Sequence, residues 1–275
     1  MTKTMATDAL RLLARNRNPD GGFGARPDQP SEAEPTALAA LALDDAQATS
    51  WLAEHQQSNG SFSVQAGPYV NDSATALGAL ALGPGPERER ALDHIETTRA
   101  RRLPSTDAIP IDADAVGWGW VAGTTSWVEP TARVLWALRI ARPSSDLVVD
   151  AVALLRDRES VGGGWNYGNR EVLLEDLPPF GQTTAIALIG LRGFDPELEA
   201  RGLETLRRLW PVESAGGLSL ATALGAFRVH GAREDGESVR RTLEDLVRTT
   251  ELQGDVVSLG WAALSLGDRL PGAEG

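Results

Sequence analysis

The chain has 275 residues, a formal net charge of −12, a single lysine (Lys3) and no cysteine. An acidic balance argues against nucleic acid and anionic membrane surfaces as partners, and the lack of cysteine excludes a disulfide framework or a thiolate metal site. No apolar run approaches the roughly 18 residues of a membrane span, and Met1 to Asp8 lacks the pattern of a signal peptide, so a soluble, cytoplasmic protein is expected.

Taken in order, the chain alternates two kinds of helix. Ala6 to Arg15 is amphipathic, with Ala9, Leu12 and Leu13 on one face. Glu34 to Leu43 follows and is apolar all round, the mark of a buried helix. Ala48 to Gln57 (Trp51, Leu52) and Glu87 to Thr98 (Ala91, Leu92, Ile95) are amphipathic again, and Ser73 to Leu82 between them is apolar. Ser126 to Leu138 is the best-defined apolar copy, interrupted only by Arg133. Its Pro130 suits a first helical position and disfavours helix at Glu129, which is read as the last residue before the helix. Amphipathic segments then recur at Leu147–Arg158, Glu197–Leu209 and Val239–Val247, and apolar ones at Gln182–Leu191, Leu220–Phe227 and Val257–Leu264.

Six such units imply one domain over 1–275, with repeats at about 6–43, 46–82, 87–140, 146–191, 196–230 and 236–267, because no unit buries its apolar helix alone. The expected fold is all-α, an (α/α)6 toroid with buried helices inside and amphipathic helices outside. The links from inner to outer helix are short, such as Asp44–Asp45. Those from outer to inner helix are mostly long: 16–33, 58–72, 99–128 and 160–181. Alternation puts the long links on one end, where loops on a rigid scaffold usually carry function. Thr36, Thr75, Thr131, Thr184 and Thr222 are expected to ring that end. Three links also share a polar residue, then glycine, then an aromatic: Arg17 to Phe23, Gln56 to Phe62 and Glu159 to Trp165. The aromatics read as packing staples between repeats.

Gln56 to Phe62 matches the Gln-x-x-x-Gly-x-Trp pattern with Phe for Trp, and on these repeats the chain resembles the prenyltransferase and squalene-cyclase family from about Ala6 to Leu266. The resemblance implies the toroid and, for a cyclase, an Asp-x-Asp-Asp-Thr-Ala motif whose middle acid protonates an alkene. Aligned on Thr36 and Thr131, that acid falls on Glu34 and Glu129, with Pro35 and Pro130 replacing the next carboxylate. The second repeat offers Asn71, Ser73 and Ala74, leaving no acid there. Glu129 is the first choice: Trp127 and an aromatic link flank it, and burial raises a carboxyl pKa far more than a helix terminus lowers it. Glu-Pro-Thr also reads as a plain helix-start device, with Glu capping or pairing with an arginine.

Asp112 and Asp114, in the longest link, form a second acidic candidate, as the catalytic acid, for a cation or as solvated turn residues. Trp118, Trp120, Trp127, Trp165 and Tyr167 concentrate in the third and fourth links, with Asn166 and Arg170 as neighbouring polar groups. Such walls suit an apolar or isoprenoid small molecule, though packing claims some of them. Arg99, Arg101 and Arg102 could hold a diphosphate or simply form a solvated helix end. The family's zinc needs a cysteine, and His55, His94 and His230 lie in different repeats, so no metal and no cofactor is expected. The leading expectation is a protein resembling class II terpene cyclases. A non-catalytic binding module on the same barrel and a two-carboxylate carbohydrate enzyme are the rivals.

Overall fold

A computed structural model describes residues 2–63 and 69–273, with side chains from residue 8 onward. The second long link, 58–72, therefore falls partly outside the described residues. Twelve α-helices occupy most of the rest: α1 Thr2–Ala14, α2 Ala33–Leu43, α3 Ala46–His55, α4 Asp72–Leu82, α5 Pro86–Thr97, α6 Val128–Ala141, α7 Leu147–Asp157, α8 Gly181–Leu191, α9 Pro196–Leu209, α10 Gly217–Val229, α11 Arg233–Thr250 and α12 Val256–Leu266. The architecture is all-α. Within the described residues one two-stranded hairpin, β1 Glu171–Val172 and β2 Glu175–Asp176, interrupts it in the fourth long link.

The apolar helices pack on one another in sequence: α2 on α4, α4 on α6, α6 on α8, α8 on α10, α10 on α12, and α12 back on α2. Each has an amphipathic helix behind it: α3 on α2, α5 on α4, α7 on α6, α9 on α8, α11 on α10 and α1 on α12. Except at α12, the amphipathic partner of each apolar helix is thus the helix that follows it, which is what the short links allow. At the ends opposite the long links, Leu270 is buried, Trp136 donates its indole N–H to Pro271 O at 2.9 Å, and Arg269 reaches Ala42 O at 2.7 Å.

A repeated latch joins the long links to the inner helices. Phe23 and Phe62 give their backbone N–H to the hydroxyls of Thr36 and Thr75 at 2.9 and 3.0 Å. Trp118 and Trp165 do the same to Thr131 and Thr184, both at 3.0 Å. The carbonyl of each aromatic accepts the N–H of the residue just before the helix: Glu32, Asn71, Trp127 and Phe180, each at 2.9 Å. Four threonines therefore occupy the fourth position of α2, α4, α6 and α8. Thr222 departs from this column; it is the sixth residue of α10 and bonds Leu218 O within its own helix.

The residue ahead of each glycine turn is a strut to the next repeat. Gln56 donates to Gly60 O and Glu87 O, Arg17 pairs with Asp45 and Gln47, and Glu159 takes a bidentate pair from Arg201. Arg and Glu thus serve where Gln was the motif, since each can reach a partner on the next outer helix. The turn itself needs glycine. At Gly60 φ is +88° and a Cβ would lie 2.1 Å from Arg90 O.

One expectation is corrected here. Glu129 does not precede its helix but is the second residue of α6, with Pro130 third. The first turn's N–H groups have no intrahelical acceptor, so proline there forfeits no hydrogen bond. Glu34 and Pro35 repeat the arrangement in α2.

Candidate functional site

The second residues of four consecutive inner helices converge: Glu34 (α2), Ser73 (α4), Glu129 (α6) and Gln182 (α8). Arg133, one turn into α6, crosses between them. Its guanidinium bonds Glu34 at 2.7 Å, Glu129 at 2.5 Å and the Ser73 hydroxyl at 3.0 Å. Glu129 also accepts from the Gln182 side chain. Arg133 and Glu129 are buried, while Glu34 keeps about a quarter of its side chain exposed. Burial pushes the Glu129 carboxyl up, Arg133 pulls it down, and the charge of Glu34 pushes it up again. Burial is the largest of these effects, and the net direction is upward. A lone charge inside an apolar helix must be paired, and that was the sequence signal that Arg133 belonged to the cluster.

A carboxyl that sequence reasoning passed over lies beside it. Asp72, the first residue of α4, is 1% exposed. It accepts the Gly119 N–H, and its Oδ1 has no partner among the described residues. Burial raises its pKa from 3.8 to about 6. The folded state therefore holds the proton more tightly than the unfolded chain, so stability falls as pH rises between about 4 and about 6, by about 3 kcal/mol in all. Asp72→Asn should make the protein more stable than the parent above pH 6, by up to that amount. Thermal melts from pH 4 to pH 8 check it: the gain should vanish toward pH 4, and a gain independent of pH would refute the assignment.

The third feature is a cavity of about 350 Å³ between the third and fourth long links. Trp127, Asn166 and Tyr167 line it, together with Leu103, Val172 and Phe180, which sequence reasoning missed. The Tyr167 and Phe180 rings lie 5.1 Å apart. Asn166 has its carboxamide engaged with Asn169 O and the Gly168 N–H, so it shapes the loop. The hairpin that supplies Val172 has Leu173 and Leu174 at its tip, with φ of +55° and +67°. Asn-Gly is the usual signature of such a turn, so no sequence signal was available.

The remaining predicted residues lie elsewhere. Trp118 and Trp165 are fully buried staples whose indole N–H groups bond Ile95 O at 3.1 Å and Leu155 O at 2.7 Å. Trp120 is half-buried and Arg170 exposed, and neither lines the cavity. Asp112 and Asp114 are exposed in a turn, where Asp112 accepts the Asp114 N–H and Arg102 pairs with Asp114 in solvent. Arg99 is taken by Asp150 and lies over the Trp118 ring. No group of three His, Asp or Glu side chains able to hold a metal ion occurs among the described residues, and no described helix is long and apolar enough to cross a membrane.

No protein-family model matches the sequence, and no curated protein matches it. Solved structures do. One variant of a type II terpene cyclase, MstE from Scytonema, bound to geranylgeranyl dihydroxybenzoate as substrate, is 14% identical with a TM-score of 0.63, covering 98% of this chain and 97% of that one. A variant of the same cyclase with merosterolic acid A as product gives 14% and 0.64 over 97% and 96%. A protein from Actinoplanes gives 14% and 0.63 over 97% and 99%. At that identity the likeness concerns the fold, which is terpene-cyclase-like over nearly the whole chain.

Proposed function

We propose that the protein is an isoprenoid-binding (α/α)6 toroid of the squalene-cyclase repeat type in which the proton-donor position no longer works as an acid. The observation that carries the reading is Arg133, bonded at once to Glu34 and Glu129. Protonating an alkene needs a neutral, strong acid facing its substrate. Here both candidates face one guanidinium instead, and neither lines the aromatic cavity. The closed circuit of inner-helix contacts and the helix behind each one support the toroid. The likeness to a cyclase whose structures carry a geranylgeranyl substrate and its product supports an isoprenoid as ligand. The aromatic cavity beside Trp127 is where we place it.

The test is to incubate the protein with geraniol, farnesol and geranylgeraniol and their diphosphates, measuring binding by calorimetry and products by mass spectrometry. Saturable binding of at least one, with every substrate recovered unchanged, is the expected result. A cyclised product that disappears in Glu129→Gln would restore the catalytic reading. A cyclised product that survives Glu129→Gln and Glu34→Gln but not Asp72→Asn would move the acid to Asp72.

A further inference from the structure

We infer that the aromatic cavity takes a short isoprenoid with an uncharged head group, an alcohol or its neutral derivative, and discriminates against the diphosphate. This rests on the isoprenoid-binding reading above and says which members of that class are bound.

None of the twelve residues lining the cavity is Asp, Glu, Lys, Arg or His. A diphosphate is recognised by cations, above all by the paired N–H groups of arginine. Of the arginines of the third link, Arg99 pairs with Asp150 and Arg102 with Asp114, and Arg101 is exposed and outside the lining. Arg170 is exposed and outside the lining. The hairpin that borders the cavity adds Glu171, Glu175 and Asp176, and the chain as a whole carries −12. A multiply charged anion would enter an uncompensated and already negative surrounding, which is costly.

The polar groups that are present suit a neutral head. Ser126 Oγ accepts the Gly117 N–H at 3.0 Å, which leaves its own proton to donate. Thr125 beside it adds a second hydroxyl to the same wall. Hydroxyls donate to and accept from an alcohol equally well. Trp127, Tyr167 and Phe180, residues 37%, 47% and 39% exposed, add partly accessible aromatic rings to the lining. These are apolar contacts for a branched chain. The volume, about 350 Å³, lies at the small end of small-molecule sites and fits a chain of about ten to fifteen carbons.

The experiment is calorimetric titration of the full chain with farnesol, farnesyl diphosphate and tetramethylammonium at one ionic strength. It is repeated on Leu103→Arg, which puts a cation into the cavity wall, with circular dichroism to show that the variant is folded. Farnesol should bind the parent at least about tenfold more tightly than the diphosphate, or about 1.4 kcal/mol. Leu103→Arg should narrow or reverse that ratio. If the parent binds the diphosphate as tightly as farnesol, the inference is overturned while the isoprenoid reading stands. If tetramethylammonium binds more tightly than both, the rings are a cation cage and the inference falls. If no isoprenoid binds, the functional reading itself fails. If Leu103→Arg folds and leaves the ratio unchanged, the ligand lies outside this cavity, which also overturns the inference.

Discussion

Arg133→Ala should destabilise the protein by about 3–5 kcal/mol, the usual result of removing one partner from a buried ion pair. In a domain of this size that is a fall in melting temperature of about 10 °C. The reason is local. Among the described residues Arg133 is the only cation bonded to Glu129, and Glu129 is 3% exposed. Without it, a buried carboxyl keeps only Gln182 and must take up a proton or carry its charge unpaired. The remedy follows from the same picture: adding Glu129→Gln to Arg133→Ala should recover much of the loss, because the neutral amide leaves no charge behind. Urea unfolding of the single and double variants at pH 7.5 checks this. A single-variant loss under about 1 kcal/mol, or losses that merely add in the double variant, would mean that the cluster is solvated and structurally idle.

The second large effect is expected at Trp165. Trp165→Ala should cost about 3–5 kcal/mol, as large-to-small core changes at Phe or Trp do. The ring is fully buried, and Gly202 of α9 approaches it so closely that a Cβ there would lie 2.8 Å away. Its N–H also takes up the Leu155 carbonyl near the end of α7. Trp165→Phe should cost less, keeping most of the packing and losing that bond. Tyr167→Ala, two residues on and half exposed, should change stability by less than about 1 kcal/mol while weakening farnesol binding. Chemical denaturation and calorimetry on the same three variants separate the staple from the cavity wall. Equal stability losses at Trp165 and Tyr167 would contradict the division.

That division shows where the sequence could be read and where it could not. The helices were legible because their apolar positions repeat with helical spacing, and each overlaps its expected span, although α11 runs over Arg233–Thr250 where only Val239–Val247 was expected. The threonine column was legible too, except at Thr222, where α10 begins earlier than the Thr-Ala-Leu match suggests. Trp118 was misplaced among the cavity candidates although its spacing to Thr131 is thirteen, the same as Phe23 to Thr36 and Phe62 to Thr75. In the fourth link the spacing is nineteen, and the hairpin Glu171–Asp176 accounts for the six added residues. The cavity was half legible: its aromatics were visible, but Leu103 and Val172 come from segments whose neighbours depend on how two links fold over each other. Asp72 was hidden for another reason. It follows a good capping residue, Asn71, whose side chain accepts the Ala74 N–H, and an acid at a helix start normally faces water. Only the Gly119 segment laid across it makes it dry.

The pairing of α1 with α12, and of α12 with α2, has a consequence for how the molecule comes apart. In an open stack of repeats a terminal unit has one neighbour and can fray alone. Here no inner helix is terminal. Loosening any one of them opens two faces at once, wherever in the chain it lies, so the circuit lacks a weak end from which unfolding could creep inward. The same closure delays assembly, because the far end of the chain must arrive before its beginning has a partner, and such distant contacts form slowly. A protein built this way is late to become stable and then hard to nibble from its ends.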